Sequence, residues 1–355
     1  MDSLQLSFNR LKSNLTVFRF KRQGYDPLID YLKGLCILFV ILNHCMPVSI
    51  MDKTAFFFWG VSAVPIFLII QVFHAYKRGV NFASPNFKKI WKRIVLPYLI
   101  TEIIILFAFI MKEHHFTIDS IINDTYRLIK SGGYGPGAYY PLIYIQFAII
   151  LPIVAHVFKS HYPHLCLIFI ITSQLIETSC SYFQLPQLAY RILFIRYFFL
   201  FYLGYILSYK GFALNIYTLG IASICLVFST YIAYSNQDFS PLLYDFVNPL
   251  CHWFCYIFIA FILLFILRQM YNYFSPKSII RKYLLNLGKY SYEIFLFQLA
   301  YFAIIDDSIH LILNNSISYY PIYILCKITI PIVICTFPII IYKEKKLIWK
   351  QNGLI

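Results

Sequence analysis

Charge is what this chain lacks. Of its 355 residues only 13% are charged and 60% are hydrophobic, whereas a soluble domain carries about 25% charged residues. That deficit excludes an ordinary water-soluble enzyme. Acidic residues are the scarcest, 15 against 30 Lys and Arg, for a net charge of +15. The nine cysteines show no CxxC spacing, which argues against zinc and dithiol motifs. Cys251 and Cys255, one turn apart, read as small apolar packing residues. His114–His115 and the set His156, His161 and His164 lack ligand spacing, so no metal is expected. There is no early apolar core followed by a small-residue cleavage site, so the first apolar helix is expected to serve as its own insertion signal. No internal repeat is visible, which weighs against a transporter built from inverted repeats.

What is present is long apolar sequence, with a mean hydropathy of +0.68. Runs close to bilayer-spanning length recur at about 32–50, 55–76, 94–111, 139–158, 164–182, 190–208, 213–233, 248–267, 290–305 and 321–342. The expectation is an all-α, polytopic integral membrane protein of about ten transmembrane helices. Residues 1–24 form a basic N-terminal segment, 25–345 the transmembrane domain and 346–355 a C-terminal tail. With the N-terminus in the cytoplasm, 23 of the 30 Lys and Arg fall on the inside. The reverse orientation leaves only seven there. The positive-inside rule therefore places both termini in the cytoplasm. The same placement accounts for the basic charge without nucleic acid. Segment 112–138 ends in Ser-Gly-Gly-Tyr-Gly-Pro-Gly, read as a flexible hinge, and the basic, aromatic segment 268–289 as one able to lie on the membrane surface.

The first apolar run carries an unusual polar stripe. Asp30 and Lys33 open it and His44 closes it. In a helix, the eleven-residue step from Lys33 to His44 rises ~16 Å and rotates only ~20° net, so the two share a face. Ionisable residues in lipid are costly and generally face a cavity that serves function. A histidine exchanges protons near neutral pH. Asp30 and Lys33, one turn apart, can instead pair with each other.

Two further groups carry chemistry. Lys88, Lys89, Lys92 and Arg93 cluster where the third run meets the cytoplasm. They suit either a positive-inside anchor or a mouth for a phosphate-bearing ligand. Glu102 lies nine residues beyond Arg93, ~13 Å deeper, close to the depth of His44. It is expected to orient or charge His44 if the first and third spans touch. On the outer side, Glu177 faces Arg191 and Arg196 as an ion pair or as a site for a polar acceptor.

Six ordered blocks resemble the acyltransferase 3 family of membrane acyltransferases. They are Leu28-Ile29-Asp30-Tyr31-Leu32-Lys33-Gly34-Leu35 with His44, Gly60–Phe67, Arg93–Tyr98, Gly135–Tyr140, Arg196–Tyr205 and Leu287–Leu296, over about 25–345. The resemblance implies ten spans and transfer of an acyl group, commonly acetyl, from cytoplasmic acyl-CoA to a hydroxyl of a cell-envelope sugar. The family's first-span basic residue and histidine fall on Lys33 and His44, and its third-span basic motif falls most clearly on Arg93, with Lys89 and Lys92 nearby. On our own reading of the residues, Glu102 joins His44 in the catalytic role, and Lys33, Lys89, Lys92 and Arg93 lie at the acetyl-CoA phosphates. Asp30, Arg196 and Tyr140 are assigned to substrate binding. The implied location is the bacterial cytoplasmic (inner) membrane. The partners are acyl-CoA, a glycan or other hydroxyl acceptor and the lipid bilayer, with a homo-oligomer left open. Three positions depart from the family pattern: Lys33 stands for Arg, Ile70-Gln71 for Ser-Gly, and Gln298 for His. A transporter or flippase of a lipid-linked glycan is the alternative reading.

Overall fold

A computed structural model describes residues 16–21, 24–54, 56–77, 87–113, 119, 122–123, 125–126, 132–157, 165–235, 243–244, 252–317 and 319–351. His114, His115, His161, His164 and Cys251 lie outside them, as does the side chain of His156.

Each of the ten apolar runs contains helix. Strand β1 (Thr16–Phe18) is followed by helices α1 (Pro27–Cys45), α2 (Ala63–Lys77), α3 (Phe87–Lys112), α4 (Tyr140–Val157), α5 (Leu165–Tyr182) and α6 (Phe194–Tyr209). Then come β2 (Phe212–Leu214), α7 (Ile216–Tyr234), α8 (Trp253–Tyr273), α9 (Ile279–Lys289), α10 (Ser291–Asn314) and α11 (Tyr320–Gln351). Among the described residues, six of these are long and apolar enough to cross a membrane: α1, α3, α5, α8, α10 and α11. The apolar helices within α2, α4, α6 and α7 are shorter. The helices turn broad apolar faces outwards: Ile103 and Phe107 of α3 are 63% and 62% exposed, and Ile224 and Val227 of α7 are 70% and 68% exposed. Such faces suit lipid rather than water.

Local chemistry explains the helix starts. Asp26 caps α1, its carboxylate accepting the Leu28 N–H at 3.0 Å, and Pro27 takes the first turn, where no intrahelical donor is needed. Asn215 and Thr218 form a capping box on α7. In α3 the residues Trp91–Val95 form a π turn, with the Leu96 N–H bonded to the Trp91 carbonyl. Pro97 supplies the cause, because its ring disfavours a regular turn against the carbonyl of Arg93.

The all-α expectation holds but for one short ribbon. Strand β1 pairs antiparallel with β2, Val17 opposite Ala213. Arg268 at the end of α8 donates to the Val17 carbonyl at 2.6 Å. Lys77 at the end of α2 donates to the carbonyls of Lys21 and Gly24. The N-terminal segment thus gathers the ends of α2, α6 and α8 at one end of the bundle. At the same end of α10 and α11, Lys343 pairs with Glu293 at 2.6 Å, and the Tyr290 hydroxyl donates to Glu344. At the other end of α3 and α10, Lys112 lies 3.9 Å from Asp307.

Segment 268–289 does more than lie on a surface. Its helix α9 packs closely along the start of α1. Two glycines allow the approach: a Cβ on Gly34 would strike the Leu284 carbonyl, and one on Gly288 would strike the Asp30 carbonyl. Small residues at such crossings let backbones meet. Helix α10 then continues beside α1 and also packs on α3.

Candidate functional site

The polar stripe is one helix, as expected, and its two ends differ. Asp30 is 9% exposed. Its Oδ1 lies 2.7 Å from Lys33 Nζ, and its Oδ2 accepts the Tyr25 hydroxyl at 2.8 Å. The Lys33 ammonium therefore begins in an ion pair. His44, at the far end, is partly buried and makes no hydrogen bond with any described residue. Its imidazole meets the ring of Phe302 edge to face, centroids 5.7 Å apart. Phe302 belongs to a second π turn, Tyr301–Ile305, a feature often found at functional sites.

Lys89, Lys92 and Arg93 are all exposed, on and just before the first π turn. The Tyr292 hydroxyl donates to the Ile94 carbonyl at 2.7 Å, which fastens this turn to α10. The basic group and the start of α10 are therefore neighbours.

Glu102 is buried at 3% exposure, but it serves a loop rather than His44. Its Oε2 accepts the Tyr134 N–H at 2.7 Å. The Tyr98 hydroxyl, beside it, donates to the Gly132 carbonyl at 2.8 Å. Helices α1 and α3 each pack on α10 rather than closely on each other, so the contact expected between Glu102 and His44 is not formed. The segment read as a flexible hinge is, from Gly132 onwards, pinned. Gly133 has φ +118°, and a Cβ there would crowd the Tyr98 hydroxyl, Ala138 and Glu102 Oε1. This is a conformation that glycine adopts freely.

Tyr140, at the end of that loop, joins three helices. Its ring centroid lies 5.8 Å from Phe67, 5.6 Å from Phe295 and 6.4 Å from Tyr144. Arg196 is 6% exposed and sits over the rings of Tyr190 and Tyr197, 5.2 Å from each centroid. Glu177 is engaged by the Tyr190 hydroxyl, by His252 Nδ1 at 3.3 Å from Oε1, and by the Tyr244 N–H at 3.3 Å from Oε2. The carboxylate's close partners thus include a histidine that the sequence did not single out. Arg191, the other cation proposed for it, is exposed.

A family model described as an acyltransferase domain matches residues 26–336. The chain belongs to the acyltransferase 3 family. The match takes in α1 to α10 and most of α11. No curated protein matches the chain, and neither does any solved structure. The protein is a membrane acyltransferase, and the features of its family blocks now have places in space. The Lys33 block and the Leu287–Leu296 block meet at the Gly34 and Gly288 crossing. The Gly135–Tyr140 block rests on α10, where a Cβ on Gly135 would come within 3.1 Å of the Leu299 carbonyl. Among the described residues of this acyltransferase, no group of three His, Cys, Asp or Glu side chains could hold a metal ion.

Two residues were missed as members of sites. His252 opens α8 at 0% exposure, and nothing local in the sequence marks it as the partner of Glu177. Gln298, noted only as a departure from the family pattern, is also 0% exposed, and neither its Nε2 nor its Oε1 has a hydrogen-bond partner. A polar residue inside an otherwise apolar run was the available signal.

Proposed function

We propose that this acyltransferase moves an acetyl group from acetyl-CoA, taken from the cytoplasm, to a hydroxyl of a cell-envelope sugar or polysaccharide, with His44 at the reacting centre. One observation carries the reading. An imidazole inside an apolar helix stands beside a π turn without a hydrogen bond to any described residue. A histidine kept free of protein partners is available to a substrate proton.

In this reading His44 takes the proton of the acceptor hydroxyl as its oxygen attacks the thioester carbonyl. The carbon–sulfur bond then breaks, and CoA leaves as a thiolate that recovers the proton from the imidazolium. The other course, in which His44 itself carries the acyl group for one step, needs an extra intermediate, so direct transfer is preferred. The exposed Lys89, Lys92 and Arg93 would receive the phosphates of CoA. Lys33 would join them by exchanging Asp30 for phosphate. Arg196 and Tyr140 would bind acceptor or donor through neighbouring aromatic surfaces. Ten spans, with both termini in the cytoplasm of a bacterium, put the basic mouth where acyl-CoA is made.

The test is turnover of labelled acetyl-CoA by the purified protein in lipid nanodiscs, supplied with the glycan fraction of its host. Transfer of label that is lost in His44→Ala supports the reading. Retained transfer in that variant removes His44 from the chemistry. Movement of a lipid-linked glycan without loss of acetyl-CoA returns the flippase alternative.

A further inference from the structure

The interface between α1 and α10 has two fixed points. At one end Gly288, just before α10, lies against the Asp30 carbonyl; at the other, Phe302 lies against His44. Fourteen residues separate Asp30 from His44, and fourteen separate Gly288 from Phe302. The two segments therefore run parallel and nearly in step. Gln298 is one helical turn before Phe302, ~6 Å towards the Lys33 end, and on roughly the same face of α10. It stands between the basic end of the stripe and His44.

Gln298 is the anomaly of this interface. It is fully buried, and among the described residues neither end of its amide has a hydrogen-bond partner. Buried polar groups are nearly always hydrogen-bonded, and one that is not calls for a functional explanation. The Tyr301 hydroxyl, on the next turn and 1% exposed, differs in having the Asp306 carboxylate beside it.

The chemistry of the missing partner can be read from the residue. A primary amide offers a donor and an acceptor in one plane. A thioester carbonyl would satisfy only the donor, leaving Oε1 bare. A trans secondary amide points its N–H and C=O in opposite directions, so two such amides on one chain, one offering its carbonyl and the other its N–H, satisfy both. A sugar hydroxyl could also do so, but on the proposed topology the acceptor arrives from the opposite side of His44. The pantetheine arm of CoA carries secondary amides on an otherwise slender chain. We propose that Gln298 is a donor-binding residue whose side-chain amide donates to the carbonyl of one secondary amide of that arm and accepts the N–H of the other, and so sets the depth of the thioester at His44. The inference rests on the acyl-CoA reading above.

The experiment uses the full chain in nanodiscs and measures Kd for three probes: acetyl-CoA, S-acetylpantetheine, which is the arm without the nucleotide, and the adenosine bisphosphate head without the arm. Gln298→Leu should weaken acetyl-CoA and S-acetylpantetheine about tenfold, the scale of a lost buried hydrogen bond, and leave the head group unchanged. Gln298→Met serves if the Leu variant does not fold. Wild-type affinity of the variant for both arm-bearing probes would overturn the role of Gln298 while leaving acyl-CoA as donor. Equal weakening of all three probes would trace the effect to the fold and also overturn it. If the wild-type protein binds none of them, the acyl-CoA reading fails and this inference fails with it.

Discussion

Two histidines of this protein occupy opposite circumstances. His252 is fully buried and lies 3.3 Å from a Glu177 carboxylate that is also held by a tyrosine hydroxyl and a backbone N–H. His44 is partly buried, makes no hydrogen bond with any described residue and meets the ring of Phe302 edge to face. A ring beside a carboxylate has its orientation fixed by the protein. A ring with no such partner leaves its nitrogens to whatever enters beside it. The contrast separates histidine used as structure from histidine kept for chemistry, and burial alone does not make that separation.

The largest expected effect tests the free ring. His44→Ala should lower acyl transfer by roughly a hundredfold or more, the range for loss of a positioned base, with its melting temperature close to wild type. Next, His252→Ala should act on stability. Leaving the buried Glu177 carboxylate short of a polar partner costs about 1–3 kcal/mol, to be read as a lower unfolding temperature in detergent. If instead His252→Ala keeps its melting temperature and loses turnover, the comparison collapses and the Glu177 cluster becomes the reacting centre. A smaller effect is expected at Glu102. Glu102→Gln keeps an acceptor for the Tyr134 N–H and should retain turnover within about fivefold, the cost of trading a charged hydrogen bond for a neutral one being near 1 kcal/mol. A hundredfold loss would restore Glu102 as a partner of His44. The smallest effect belongs to Lys33→Arg. Asp30 already holds this cation at 2.7 Å, so the forked guanidinium should improve acetyl-CoA affinity by about threefold or less, within the range of an exposed ion pair.

Periodicity and composition made the helices legible, because apolar runs of this length have few other solutions. Each predicted run contains helix, and the stripe from Asp30 to His44 is continuous. What could not be read is which face of a helix meets which neighbour. A helix apolar on all sides carries no stripe to point the way. Glu102 illustrates the limit. Its depth suggested His44, but its partner is the backbone of Tyr134, in a loop that packing brings to α3. Glu177 does so again, since His252 lies beyond α5, α6 and α7 in the chain. The crossing of Gly34 with Gly288 was equally silent, because a glycine in an apolar run looks the same whether it faces lipid or another backbone.

The ribbon of β1 and β2 has a consequence in time. Thr16 to Phe18 leave the ribosome before the helices they join, yet their partners, Phe212 to Leu214, follow nearly two hundred residues later. Contacts so distant along the chain form late. Until the sixth apolar helix has been made, β1 remains an unpaired edge. Only then can it close, with Lys77 and Arg268 as its fastenings. A strand synthesised before every helix of the bundle is thus among the last elements to find its place, and the ribbon marks the moment when most of the bundle is already assembled.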